Sequence, residues 1–405
     1  MKKRMKIAII VPSNLPIPSV KGGAIETLVD ELIAVNEQEK KLDIVVYSCK
    51  NQEAKDKAKK LQSTKVKYID TEGVVAHLFA RKRYIRNRFV KYNKTFDSWF
   101  IKEACRDILK ENVDYIIIEG DKVVAEAIKK RINKPLILHL HNEMNSNSDY
   151  VKQIAKSVDY YFTVSDYIGE KVSEVPGVEK SNVFTIHNCV DVNKFNKALY
   201  QRERESIRKK FKIKKEDLLL IFTGRIVPEK GVLELIEAVS KLDDNIKLMI
   251  LGAPTFDERK MTEYSKKVEN AMRKQSNKIF MTGYIEYKDI PQYYTASDIA
   301  VIPSLWEEPA ALTVFEAQAT GIPCIVTKSG GIIEYCNDTT AIKIDKDKNV
   351  VVDNLIEAIK FLESHPEERI KLGANGHKHM RKYSIDNYYK EYVNALNKIN
   401  EEENK

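Results

Sequence analysis

Ser304-Leu305-Trp306-Glu307-Glu308-Pro309-Ala310-Ala311-Leu312-Thr313-Val314-Phe315-Glu316-Ala317-Gln318-Ala319-Thr320-Gly321-Ile322-Pro323 is the stretch on which the fold turns. The apolar run 299–302 ahead of it reads as a strand, the acidic segment as a loop, the next residues as a short helix closed by Gly321, and 324–326 as another strand. Strand, loop, helix, strand is the repeat of an open α/β sheet. Such sheets bind ligands at the carboxyl ends of their strands, where helix N-termini present unpaired N–H groups. Glu308 in the loop and Glu316 on the helix, with seven residues between them, place two carboxylates at that edge. Exposed carboxylates are ordinarily only solvated, so the pair takes its meaning from the rest of the chain.

Upstream, Leu218-Leu219-Leu220-Ile221-Phe222 is strand-like and runs into Thr223-Gly224-Arg225-Ile226-Val227-Pro228-Glu229-Lys230-Gly231 and an amphipathic helix from Val232. Arg225 and Lys230 at a helix start combine fixed positive charge with open backbone donors, a pairing suited to a diphosphate. Strands at 246–251 and 278–282 end at Gly252 and Gly283. Gly330-Gly331 leads into a short segment in which Glu334 either caps a helix or is merely solvated. Asp345-Lys346-Asp347, in a lysine-rich loop, reads as a turn rather than a metal motif. Helices are expected at 351–364, 367–382 and 386–399.

In the first half, strands are expected at 7–11, 42–47, 66–69, 113–118, 135–142, 160–165 and 183–191. A loop with three prolines, residues 12–23, precedes a helix from Ala24, so Gly22-Gly23 sits at a helix N-terminus as either a plain turn or a ligand loop. Residues 81–94 carry seven basic side chains and no acid, with aromatics interleaved. Such a segment is either a solvated helix face or a surface for anionic lipid, the latter requiring Phe79 and Phe89 to be exposed. His139 and His141 share a strand face by alternation. An H-x-H pair can begin a metal site, but no third ligand of sensible spacing is visible, and one of the two also reads as a satisfied core histidine. Residues 192–215, charged and poor in apolar side chains, read as an interdomain linker.

A chain of 405 residues with 43% hydrophobic residues is long enough for two α/β cores. No apolar run approaches membrane-spanning length, and Met1-Lys2-Lys3-Arg4 leads straight into a strand-like run, so a cytoplasmic protein is expected. The five cysteines, scattered and without C-x-x-C spacing, fit reduced thiols. A net charge of +9 is compatible with anionic ligands or an anionic membrane surface. No recognised nucleic-acid module accompanies the basic segment, so nucleic acid is not expected as a partner.

Gly224-Arg225, Lys230-Gly231 and Glu308-x7-Glu316, in one domain and in that order, resemble the retaining glycosyltransferases of family 4, also called glycosyl transferases group 1, and among them the spore-coat-protein-SA-like branch. The resemblance covers essentially the whole chain and is weakest from residue 50 to 110. It implies a GT-B fold: two Rossmann-like domains with parallel sheets facing across a cleft, the first spanning 1–195 with a crossing helix at 385–405, the second 196–384. It also implies transfer of a hexosyl residue from a nucleotide-diphosphate sugar, most simply a UDP-sugar, to a glycan or lipid-pyrophosphate-linked acceptor, without metal or other cofactor. By the same resemblance Arg225 and Lys230 clamp the diphosphate, Glu308 holds the sugar, His141 faces it from the first domain, and Glu316 takes the ribose hydroxyls. Gly22, Gly23, Ile285, Ala311 and Leu312 complete the donor-binding set. Cys189 stands where the family's strand-ending turn has glycine, and is strained if that turn needs a positive φ. The alternatives are a non-catalytic coat or assembly protein that keeps the fold, and a sugar-nucleotide epimerase.

Overall fold

The short Val-, Ile- and Leu-rich runs become strands of two wholly parallel sheets, because a strand covered by helices on both faces is apolar on both. Residues Ile7 to Ile10, for instance, are completely buried. The computed structural model describes residues 4–11, 15–88, 98–144, 149–252 and 262–404. The chain divides into two units, residues 1–188 with 385–405, and residues 189–384.

The first unit holds β1 (Met5–Ile10), β2 (Leu42–Cys49), β3 (Thr64–Ile69), β4 (Tyr115–Glu119), β5 (Leu136–Leu140), β6 (Tyr160–Thr163) and β7 (Val183–Thr185), in spatial order β3-β2-β1-β4-β5-β6-β7. The second holds β8 (Leu218–Thr223), β9 (Ile246–Leu251), β10 (Ile279–Gly283), β11 (Ile299–Ile302), β12 (Cys324–Thr327) and β13 (Ala341–Ile344), ordered β10-β9-β8-β11-β12-β13. In both, the order reverses direction beside the first strand, the switch point at which doubly wound sheets open a crevice for ligands. Each unit is thus a Rossmann-like half of the expected kind.

Helix Ile385–Glu403 belongs to the first unit. Its apolar stripe buries Tyr388, Tyr389, Tyr392, Leu396 and Ile399, Tyr389 Oη donates to Asn36 Oδ1 at 2.7 Å, and Glu403 accepts from Tyr160 Oη at 2.7 Å.

Several expectations need correction. The division falls between Asn188 and Cys189 rather than at 195. Residues 192–215 are no linker: Phe195 is completely buried, and helix Gln201–Lys210 sends Arg204 and Arg208 onto Asp298 at 2.8 and 3.1 Å. The segment read as a linker because nothing local reveals a half-buried acid, Asp298, almost a hundred residues away. The strand expected over 183–191 stops at Thr185. Cys189 is unstrained, since the non-glycine residues of positive φ among those described are Lys40, Asn112 and Lys212. All five cysteines are buried free thiols.

The basic segment is part of helix Val74–Arg88, and residues 89–94, with Phe89, lie outside the described residues. Phe79 is half-buried rather than fully exposed, the condition set for a lipid-binding role. It packs on Trp99 with ring centroids 6.2 Å apart, and Lys102 Nζ lies 5.6 Å from both rings. The exposed face carries Val74, Val75, Leu78, Tyr84 and Ile85 beside Arg81 and Lys82. Among the described residues no helix is long and apolar enough to cross a membrane.

Candidate active site

The neighbouring strands β8, β9 and β10 finish at Gly224, Gly252 and Gly283, with φ of 148°, 153° and 73°. Gly224 N–H donates to Leu251 O at 3.0 Å and Gly252 N–H to Gly283 O at 3.2 Å. A Cβ on Gly252 would lie 1.9 Å from Gly224 O, so the backbones meet where no side chain fits. The result is a shelf of bare backbone at the strand ends, open to the close approach of a phosphate or ribose.

Beside it, Pro228–Lys230 forms one 3-10 turn, closed by Gly231 at φ 67°. A Cβ on Gly231 would lie 2.0 Å from Pro303 O, and Leu305 N–H donates to Glu229 O at 2.8 Å. These contacts fasten the basic turn to the loop after β11 and bring Lys230 Nζ to 2.5 Å from Glu308 Oε1. The same oxygen accepts from Ser304 Oγ at 2.5 Å. Glu308 is buried; its N–H donates to Ser329 Oγ at 3.1 Å and its carbonyl accepts from Gly331 N–H at 2.7 Å. Gly330, at φ 46°, comes so close that a Cβ would stand 2.3 Å from Glu308 O. Arg225, by contrast, is exposed, its cation in solvent at the end of β8.

Helix Leu312–Thr320 follows, with Ala311 as an N-cap that makes no side-chain cap hydrogen bond. Its first N–H groups and the positive end of its dipole are therefore available to a ligand. Glu316, one turn in, is buried, and its Oε2 accepts from Tyr294 Oη at 3.0 Å. Burial pushes its carboxyl up to about 7, against the opposing pull of Tyr294 and Lys194. Ile285 is half-buried, packed with Tyr287 and Ile290 against the apolar core beneath the site. Asp345-Lys346-Asp347 is a turn, Asp345 Oδ1 accepting from Asp347 N–H at 2.9 Å. Lys346 pairs with Glu307, which also accepts from Gly330 N–H at 2.6 Å.

The remaining candidates, Gly22, Gly23 and His141, belong to the first unit. Gly23, at φ 113°, is the N-cap of helix Ala24–Glu39 and makes no side-chain cap hydrogen bond. Gly120 lies between Ile25 of that helix and His141, whose ring a Cβ there would approach to 3.8 Å. The third group that no sequence spacing revealed is Glu119, at the end of β4. Its Oε2 lies 2.8 Å from His141 Nε2 and 3.0 Å from His139 Nδ1. Ser304, Ser329, Gly330, Tyr294 and Glu119 were all missed as site residues; only Gly330-Gly331 left a local trace.

The glycosyl transferases group 1 family matches residues 203–379, which contain Arg225, Lys230, Glu308 and Glu316 together. The second unit carries a group 1 glycosyltransferase domain. Over 388 residues the chain is 26% identical to spore coat protein SA of Bacillus subtilis, covering 91% of this chain and 93% of that protein. It is 30% identical over 160 residues, 38% of each chain, to the UDP-Gal:alpha-D-GlcNAc-diphosphoundecaprenol alpha-1,3-galactosyltransferase of Escherichia coli. The Anabaena protein HepE, solved in complex with UDP and glucose, shares the fold with a TM-score of 0.75 at 15% identity, over 98% of this chain and 100% of that one. The group 1 domain and the named relatives make the chain a glycosyltransferase.

Proposed function

We propose that the chain transfers a hexosyl residue, with retention and without a metal ion, from a UDP-sugar to a glycan or lipid-linked acceptor in the synthesis of cell-surface polysaccharide or glycoconjugate. The observation that carries this reading is the pairing of Lys230 with buried Glu308, set beside the glycine shelf and the open start of helix Leu312–Thr320. The Lys230 cation is held by the Glu308 carboxylate. A diphosphate on the shelf would draw Lys230 and Arg225 onto its oxygens and free Glu308 to hold sugar hydroxyls. The chemical demand is to stabilise the departing diphosphate and an oxocarbenium-like sugar, which preorganised charge meets without a covalent intermediate. The donor phosphate then takes the acceptor proton. The UDP-linked chemistry in the names of the E. coli and Anabaena proteins supports this choice of donor. Kinship with spore coat protein SA supports a second reading, a coat assembly role. A complete set of charged side chains in the site favours transfer. Release of UDP from a panel of UDP-sugars in the presence of candidate acceptors tests the proposal; full activity of only a different nucleotide sugar, or none with any, would reject it.

Glu316 supplies a pH signature. Its carboxyl in the folded protein lies at about 7 against an ordinary 4.5, so the protonated form is the favoured one when folded. The corresponding stability is complete below the ordinary value and is lost as pH rises through about 7. Ribose hydroxyls donate to a carboxylate, so bound donor favours the ionised form. Affinity for UDP-glucose, which has no phosphate titrating near neutrality, should therefore fall as pH drops below about 7, with proton release on binding. Glu316→Gln should abolish the pH dependence, and Glu316→Ala should cost roughly 1.5 to 3 kcal/mol of binding. Calorimetry in two buffers of different ionisation enthalpy reads both. An unchanged affinity in Glu316→Ala removes this residue from the ribose.

The exposed face of helix Val74–Arg88 suggests reversible binding to the inner face of a membrane, where a lipid-linked acceptor would be met. Its apolar residues would insert while Arg81, Lys82 and Arg83 contribute about 1 kcal/mol each near an anionic surface, screened over about 8 Å at physiological salt. Co-sedimentation should show binding to anionic vesicles that salt weakens and that Arg81→Ser, Lys82→Ser and Arg83→Ser together reduce strongly. Equal binding to neutral vesicles would return the segment to a solvated face.

A further inference from the structure

In the parallel ladder of β4 and β5, Glu119 is the direct partner of His139, and His141 lies two residues beyond on the same side. All three belong to the first unit. The side chains of Glu119 and His139 are 1% and 0% exposed, and that of His141 is 8% exposed. Glu119 Oε2 lies 2.8 Å from His141 Nε2 and 3.0 Å from His139 Nδ1, and one ligating atom from each residue lies within 4.8 Å of the other two. The imidazole rings stand 4.4 Å apart.

Hydrogen bonding within the protein leaves this cluster incomplete. Neither ring nitrogen of His139 makes a hydrogen bond, nor does Glu119 Oε1, and among the described residues His139 alone has two such buried atoms. Its ring is boxed by Phe162 and Tyr392, edge to face at 6.0 and 6.2 Å, and the buried Tyr392 Oη makes no hydrogen bond either. Each such atom carries a full desolvation penalty, so several in one place call for a bound species. Two imidazoles and a carboxylate are the donor set of a borderline divalent ion, whereas magnesium and calcium take oxygen ligands throughout. A tetrahedral ion with bonds of about 2.0 to 2.2 Å keeps its ligands roughly 3 to 3.5 Å apart, close to the separations Glu119 Oε2 already has.

We propose that Glu119, His139 and His141 form a site for one zinc ion that joins the carboxyl ends of β4 and β5. His139 binds through Nδ1, His141 through Nε2 and Glu119 through Oε2, and solvent reaches a fourth position past the edge of His141. Ligation needs the lone pair of each nitrogen, so His141 Nε2 gives up its hydrogen bond to Glu119 and the neutral ring carries its proton on Nδ1. The ion takes no part in the proposed transfer: its ligands all belong to the first unit, whereas the clamp of Arg225 and Lys230 belongs to the second. It stabilises the first unit, because it binds the folded ladder in preference to the unfolded chain.

The test uses the full chain, freed of metal by a chelator, loaded with zinc sulfate and dialysed. Metal analysis should find one equivalent of zinc per chain. At about 100 times its dissociation constant zinc should raise the melting temperature of the first unit by roughly 5 to 10 °C. Cobalt(II) in its place should show the visible absorption of a low-coordinate site, and magnesium should have no effect. Glu119→Gln and His141→Ala should each weaken zinc binding at least about 100-fold, since a lost ligand costs more than the roughly 10- to 100-fold of a lost outer partner. The exposed control His365→Ala should bind as wild type does. Zinc held equally well by Glu119→Gln and His141→Ala would be a surface ion only and overturn the proposal. So would wild type that retains no zinc, which would leave the three side chains an ion-paired network and nothing more. Should Glu119→Gln not fold, His141→Ala, at the partly exposed edge of the cluster, decides alone.

Discussion

Arg225→Ala is expected to lower turnover on the order of 100-fold or more, the usual scale for one lost transition-state stabiliser, while thermal stability stays within about 0.5 kcal/mol of wild type. The side chain is exposed at the end of β8, so its removal leaves no cavity and no buried partner. In the proposed clamp its cation would meet charge that develops on the leaving diphosphate, and that charge is largest in the transition state. Turnover with UDP-glucose, compared with melting temperature, separates the two effects, and EDTA in the assay should leave wild-type turnover unchanged. Near-normal turnover in Arg225→Ala would remove it from the clamp.

Lys230→Met should fail in both respects. Turnover should fall by a similar factor or more, but here stability falls too, because Lys230 Nζ is the cationic partner of a carboxylate whose side chain is 4% exposed. Removing one member of a buried pair typically costs about 3 to 5 kcal/mol, since the other is left charged and unpaired; the partial exposure of Lys230 puts the expectation at the lower end, about 3 kcal/mol. Ser304 Oγ remains to Glu308, but a hydroxyl does not replace an ammonium. The double variant Lys230→Met with Glu308→Gln should recover most of the stability, because the uncompensated charge is gone, yet recover none of the turnover. Chemical denaturation followed at equilibrium reads the first and UDP release the second. If Lys230→Met is as stable as wild type, the ion pair is not what holds the loop after β11.

The two Rossmann-like halves were legible in the sequence because their signals are local. Apolar runs covered on both faces, helices at the helical period, and glycines at strand and helix ends are each written within a few consecutive residues. Arg225, Lys230, Glu308 and Glu316 were singled out through the resemblance to the family's motifs; spacing within their two strand–turn–helix units fixes only that each lies beyond the carboxyl end of its strand. What the spacing could not supply was partners. Glu308 is defined by Lys230, Ser304, Ser329 and the bare backbone of Gly330, drawn from three separate loops, and Glu316 by Tyr294 on another helix. Arg204 and Arg208 fell in a segment read as a linker until the fold set them on Asp298, and the packing of Phe79 on Trp99 left no local trace. The register of β4 against β5 alone brought Glu119 to His141. Hydrophobic periodicity acts along the chain and can be read there, whereas the pairing of a buried charge depends on which strand ends lie side by side, and only tertiary structure decides that.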